Sequence, residues 1–161
     1  MSDLTHTALG TAITLKVNIQ GDEYADLNLS LAELKAFPQH VLDEVTLTCL
    51  SGAGKGCIKN YCGALLRDVI GHIGLEAADR RVLKQMLVIA RAHDNYSAIF
   101  SWNELFNTAV GDGVFVLYEK NDESLGAREA DVALISANDL RNAPRHVKGL
   151  KVIELYKLPE L

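Results

Sequence analysis

Apolar and polar positions alternate strictly from Ile13 to Gln20. Ile13, Leu15, Val17 and Ile19 stand against Thr14, Lys16, Asn18 and Gln20, the period of a half-buried strand over residues 12–21 that ends at Gly21. Ser30-Leu-Ala-Glu33 then has the form of a capping box. Leu31, Leu34 and Phe37 recur on one face until Pro38 stops the segment, so a short amphipathic helix follows. A second alternation, Val45, Leu47 and Cys49 against Thr46 and Thr48, predicts an interior strand. It runs straight into the glycine-rich stretch from Leu50 to Gly56, read as a loop that needs unusual backbone angles or close approach by another group. Leu65, Leu66, Val69, Ile70 and Ile73 return to helical spacing, with Gly74 as the C-cap.

The second half mixes the same element types. Residues 76–81 suit a helical turn, and a strand follows from about Gln85 to Ala92. Asp94-Asn95 makes the turn into a strand over Tyr96 to Ser101. Ser101-Trp-Asn-Glu104 is a second capping box, which places a short helix at Trp102 to Asn107, and Gly111-Asp-Gly113 releases a strand over Val114 to Glu119. Residues 120–129 are the most polar stretch and read as a surface loop, while Asp131 to Ser136 and Lys151 to Lys157 complete the strands. Strands interleaved with a few short helices, without regular strand-helix alternation, predict an α+β domain with a mixed sheet. No linker or repeat divides residues 1–161, so a single domain with its core at about 12–157 is expected.

Composition narrows the function classes. The 161 residues, 48% hydrophobic and 23% charged, suffice for one core. With 16 Lys+Arg against 21 Asp+Glu the formal net charge is -5, and no Lys/Arg run exceeds two residues. That is no electrostatic footprint for nucleic acid or an anionic membrane. No apolar stretch approaches the roughly 18 to 20 residues needed to span a bilayer, and the start MSDLTHTALG has neither a basic nor an apolar leader region, so a cytoplasmic location is expected. Three cysteines fit reduced thiols better than a disulfide framework.

Candidate chemistry gathers around the glycines. A nucleotide P-loop would need Gly at the position of Cys49 and Ser or Thr where Gly56 stands, which leaves an anion-cradling loop or an ordinary flexible one. Cys49, Cys57 and Cys62 are spaced by eight and five with no CxxC, which does not make a tetrahedral zinc set. Cys49 differs from the other two because it ends a strand before the loop. Alternation sends it to a cleft floor, where a thiolate suits a soft or high-valent metal or acts as a nucleophile; a buried structural cysteine is the other reading. Cys57 and Cys62 flank the entrance to the next helix. His93-Asp94 is a turn or a polar site element. Arg145 and Lys148, three apart beside Pro144 and Gly149, form either a solvated basic turn or a pair aimed at one anion.

Taken in order, these pieces resemble the molybdopterin-binding domain of the sulfite oxidase family. Leu29-Ser-Leu-Ala-Glu-Leu-Lys-Ala-Phe-Pro38 is similar to its "s-L-x-x-L-x-x-[LF]-P" helix, and Val45-Thr-Leu-Thr-Cys49 to its "V-T-L-x-C-x-G" strand and loop. Gly63-Ala-Leu-Leu-Arg-Asp-Val-Ile70 resembles "G-V-P-L-x-D-L-L", Asp94-Asn-Tyr-Ser97 resembles "D-G-Y-S", and Ala143-Pro-Arg-His-Val-Lys-Gly-Leu150 resembles "G-A-R-x-V-K-W-L". The resemblance implies molybdopterin, the molybdenum cofactor, or a related pterin as ligand. It makes Cys49 the metal ligand and catalytic thiol, and implies cofactor contacts from Cys49, Gly52, Gly54, Lys55, His93, Asp94, Tyr96, Arg145, His146 and Lys148. Where the family has "H-G-x-P-x-R", this chain reads Arg128-Glu-Ala-Asp-Val-Ala133 and lacks that histidine and arginine. The expectation is therefore a molybdopterin- or pterin-binding protein of oxidoreductase ancestry. Two other readings stand beside it: a compact molybdenum-dependent oxidoreductase with Cys49 on the metal and a separate redox partner, or an interaction module with an empty cleft and a signalling partner.

Overall fold

The alternating residues of Ile13–Ile19 form β1, an inner strand of a five-stranded sheet in this computed structural model, which describes residues 10–19, 22–75, 79–121, 123–124 and 132–159. Strand β2 (Asp22–Leu29) pairs antiparallel with β1, whose other side lies parallel to β11 (Leu150–Lys157). Next come β5 (Met86–Ala92) and the edge strand β6 (Ser97–Ser101), both antiparallel, so the sheet is mixed. The second sheet is antiparallel, in the order β10 (His146–Val147), β9 (Ala133–Ser136), β7 (Val114–Lys120), β4 (Gly54–Leu65) and β3 (His40–Thr48), with β8 (Glu123–Ser124) paired to β7. Short helices α1 (Leu31–Ala36), α2 (Leu66–Gly71), α3 (Arg80–Leu83) and α4 (Trp102–Asn107) join them. The result is a mixed α and β architecture of two sheets with short helices. Among the described residues no helix is long and apolar enough to cross a membrane.

Local signals produced α1 and α4 as expected, whereas α3 lies at Arg80–Leu83, C-terminal to most of the expected turn, of which residues 76–78 lie outside the described residues. Ser30 Oγ accepts from Glu33 N at 3.1 Å while Glu33 Oε1 accepts from Ser30 N at 3.2 Å; Ser101 and Glu104 repeat the exchange at 3.0 and 2.9 Å. Each satisfies donors that the first helical turn leaves open. Helix α2 is shorter than its apolar spacing implied, ending at Gly71 with His72 as C-cap rather than Gly74.

One core joins the two sheets. Leu15, Val17, Val88, Phe100, Ile153 and Leu155 of the first sheet pack with Ala64, Val116, Leu134 and Val147 of the second and with Leu66 and Ile70 of α2. Because side chains alternate along a strand, Val116 enters this core while Leu117 points to the opposite face. There a second cluster forms from Leu42, Leu47, Ile58, Leu117, Ala133 and Ile135. Its cover is the outer part of the β3–β4 ribbon, beyond the last pairing of β4 with β7 at Tyr61 and Lys120. Asn60, at φ 58, sits where that pairing ends, and its carbonyl accepts from Asn121 N at 2.9 Å. At Gly63 a Cβ would lie 2.3 Å from the carbonyl oxygen of Val116, so only glycine allows β4 and β7 to meet this closely.

Several expectations need correction. The strand expected at Val45 to Cys49 is not interior: β3 is the edge of its sheet, starts at His40 and stops at Thr48, leaving Cys49 just outside it. A register shift between Thr46 and Thr48 breaks the alternation from which a cleft-floor position for Cys49 was read. The glycine-rich loop is also shorter than expected. Only Cys49 to Ala53 lie between the two strands, closed by Gly52 N to Cys49 O and Cys49 N to Ala53 O, both at 2.8 Å. Gly52 has φ 93, a conformation that favours glycine. Gly54 and Gly56 belong to the twelve-residue strand β4. Cys57 and Cys62 lie within that strand, opposite Thr46 and Val41, and do not flank a helix entrance. Strand β2 has no counterpart among the expected elements. The expected strand end at Gly21, the loop residues 125–130 and the strand start at Asp131 lie outside the described residues.

Candidate functional site

Three segments far apart in sequence meet near the end of the second sheet: the β3–β4 hairpin loop, the turn between β5 and β6, and residues 138–149 after β9. The Asn142 side chain joins the first to the third. Its Oδ1 accepts from Thr48 N and its Nδ2 donates to Thr46 O, both at 2.8 Å, so one buried amide serves the open edge of β3 as a neighbouring strand would. Arg141 lies against the hairpin loop itself, where a Cβ built at Gly52 would sit 3.3 Å from its guanidinium carbon.

The β5–β6 turn docks on the third segment. His93 N donates to Gly149 O at 3.0 Å, Asp94 Oδ1 accepts from Tyr96 N at 3.0 Å, and the Tyr96 hydroxyl donates to Pro144 O. Asn95 takes φ 71, a backbone conformation that asparagine tolerates better than most residues. The structure thus brings together the segments that carry Cys49, Gly52, Gly54 and Lys55, those that carry His93, Asp94 and Tyr96, and those that carry His146 and Lys148. Asp94 has a turn-forming role in this arrangement.

Arg145 departs from its expected part. Its Nε and Nη2 donate to the two oxygens of Asp139, both at 2.7 Å, and its Nη1 donates to Glu104 Oε2 at 3.1 Å and Ile99 O at 3.0 Å. The guanidinium also lies 4.2 Å from the centre of the Phe100 ring. Hydrogen bonding to Asp139 holds its proton more firmly than usual, more than burial loosens it. With four of its five donors spent inside the protein, Arg145 is a brace between β6, α4 and the 139–145 segment, and it does not pair with Lys148 on one anion.

Lys148 and Lys55 are the two charges that act on His146. His146 is half-buried on β10, and its imidazole is pushed below its ordinary range first by burial, then by the charges of Lys148 and Lys55. Neither lysine has a carboxylate partner among the described residues. An anion bound beside His146 would offset the lysine charges that disfavour its imidazolium. Cys49 is half-buried at the base of the hairpin loop, Cys57 is exposed and Cys62 is buried. Among the described residues no group of three or more His, Cys, Asp or Glu gathers to hold a metal ion with protein ligands alone. A recess of about 240 Å³ lined by Glu33, Ala36, Phe37 and His72 contains none of the expected site residues.

His146 makes stability pH-dependent. Its folded pKa lies below the unfolded value of 6.5, so between the two the unfolded chain binds more protons, and stability falls as pH drops through that window. Urea unfolding at pH 7.5 and 5.5 is expected to show a smaller loss on acidification in His146→Gln than in the parent protein. An equal loss in both would place the titration elsewhere.

Sequence reasoning did not single out Arg141, Asn142, Asp139 or Glu104 as site residues. Glu104 was visible only as a capping residue. Asn142 had no local signal, because its partners Thr48 and Thr46 lie 94 and 96 residues away. Compared with protein-family models and with characterised proteins, the chain gives no match.

Proposed function

We propose that this chain is a molybdopterin- or pterin-binding protein of oxidoreductase ancestry, with Lys55, His146 and Lys148 as the anchor for the ligand's phosphate. The observation that carries this reading is the junction of the β3–β4 hairpin, which carries Lys55, with the segment that carries His146 and Lys148, held by Asn142 and by Arg141 against Gly52 in a chain whose net charge is -5. The ordered motif series and the mixed two-sheet architecture support the sulfite-oxidase-like assignment. A phosphate dianion suits the basic side chains Lys55 and Lys148, and Cys49, at the base of the adjoining loop, offers one thiol. Bound molybdenum would supply oxygen-atom transfer. The residues of this chain hold the anion, present the thiol and exchange a proton at His146.

Two measurements test the proposal. Metal and pterin analysis of protein from a molybdenum-replete host separates the readings: an organic pterin without metal supports the binding protein, about one molybdenum per chain supports the oxidoreductase, and neither removes both. Titration with the phosphate-bearing pterin tests the anchor. Lys55→Ala and Lys148→Ala are each expected to weaken binding by roughly 3- to 10-fold, as for partly solvated charge-assisted contacts. A bound anion favours the imidazolium of His146, so affinity is expected to rise as pH falls from 7.5 to 6. Binding independent of both lysines and of pH would reject the anchor. For the thiol, Cys49→Ser is expected to abolish metal retention while Cys57→Ser leaves it unchanged; the reverse result would identify the wrong sulfur.

A further inference from the structure

We propose that the β3–β4 hairpin loop and residues 138–142 form one docking surface for a partner protein that presents an apolar side chain within an acidic patch. The surface does not depend on pterin binding. Leu140 and Leu50 are 93% and 79% exposed, the two most exposed large apolar side chains among the described residues, and both lie on these two loops. The loops are held together where Arg141 lies against Gly52 and where Asn142 hydrogen-bonds the β3 edge. Ordinary exposed leucines are scattered; Leu140 directly precedes Arg141 and Leu50 lies two residues before Gly52, so both adjoin one inter-loop contact along the chain.

The backbone that carries them is fixed in advance. The hairpin closes through Cys49, Gly52 and Ala53, and Asn142 ties the second loop to the first. A partner therefore meets a surface already shaped, with little ordering left to oppose binding. Charge identifies the partner's chemistry. Arg141, next to Leu140 in the chain and packed on Gly52, is exposed and has no carboxylate partner among the described residues, so a cation stands at the junction of the two loops. An acidic patch would pair with Arg141 and an apolar side chain would pack beside the leucines. An anionic bilayer fits less well. It presents an extended negative plane to a molecule of net charge -5, whereas a protein patch meets only the local surface around Arg141.

The test uses the full chain with isotope-labelled amides and a short acetylated peptide of glutamates flanking one leucine and one phenylalanine. Saturable shifts are expected at residues 50–52 and 140–142, weakened by added salt. Leu140→Asp, Leu50→Asp and Arg141→Glu are each expected to weaken the peptide by about tenfold, the scale of a contact near the centre of an interface. Melting temperature should change little in the leucine variants, since both side chains are exposed. Unchanged affinity in the leucine variants, or shifts confined to other surfaces, would overturn the proposal. Binding to phosphatidylglycerol vesicles without binding to the peptide would overturn it in favour of a membrane. Pterin binding that survives loss of the leucines would leave the function reading intact, and peptide binding without pterin binding would do the converse.

Discussion

Arg145→Ala is expected to lower the stability of this protein by about 3 kcal/mol, the lower end of the cost of removing one partner from a buried ion pair. The lower end applies because Arg145 and Glu104 keep 21% and 35% of their side-chain surface in solvent, although Asp139 keeps only 12%. Truncation leaves Asp139 without its bidentate partner, takes a donor from Glu104 and from the Ile99 carbonyl, and uncovers the face of Phe100. In a chain of this length that corresponds to a fall in melting temperature of roughly 6 to 12 °C. Arg145→Lys should recover little of it, because an ammonium cannot span both Asp139 oxygens while reaching Glu104. Urea unfolding and ligand titration on the same variant separate structure from binding. A stable variant with weakened pterin binding would restore Arg145 as an anion ligand and contradict its role as a brace.

Asn142→Ala is expected to cost about 2 kcal/mol, within the usual penalty for leaving buried hydrogen-bonding groups without a partner. The lost amide leaves Thr48 N–H and the Thr46 carbonyl open on the edge of β3 and releases the hairpin from the 138–149 segment. Amide exchange should show where the effect lies. Thr48 is expected to lose protection first, and Leu47 and Ile58 follow as the second apolar cluster loosens; a uniform loss across both sheets would mean that Asn142 has no special hold on this edge. Since the hairpin carries Lys55 and Cys49, pterin affinity should fall with it, in contrast to Lys148→Ala, which should weaken binding without destabilising the fold.

What the sequence by itself determined lies within a few residues of each signal. The capping boxes at Ser30 and Ser101 exchange hydrogen bonds over three positions, and β1 carries its burial in an unbroken alternation. The turn at Asp94 and the left-handed position at Gly52 follow likewise from short-range backbone chemistry. Tertiary structure decided the rest. The outer half of β4, glycine-rich and polar, is a strand because β3 lies beside it, and its own residues favour a loop at least as well. Arg145 and Lys148 are alike when read along the chain; the fold turns one toward Asp139 and Glu104, and leaves the other exposed, its charge acting on His146. Asn142 matters only because chain closure carries it to Thr46 and Thr48. Helix caps and alternation are properties of neighbours along the chain, whereas the partner of a charge or of a strand edge exists only after distant segments have met.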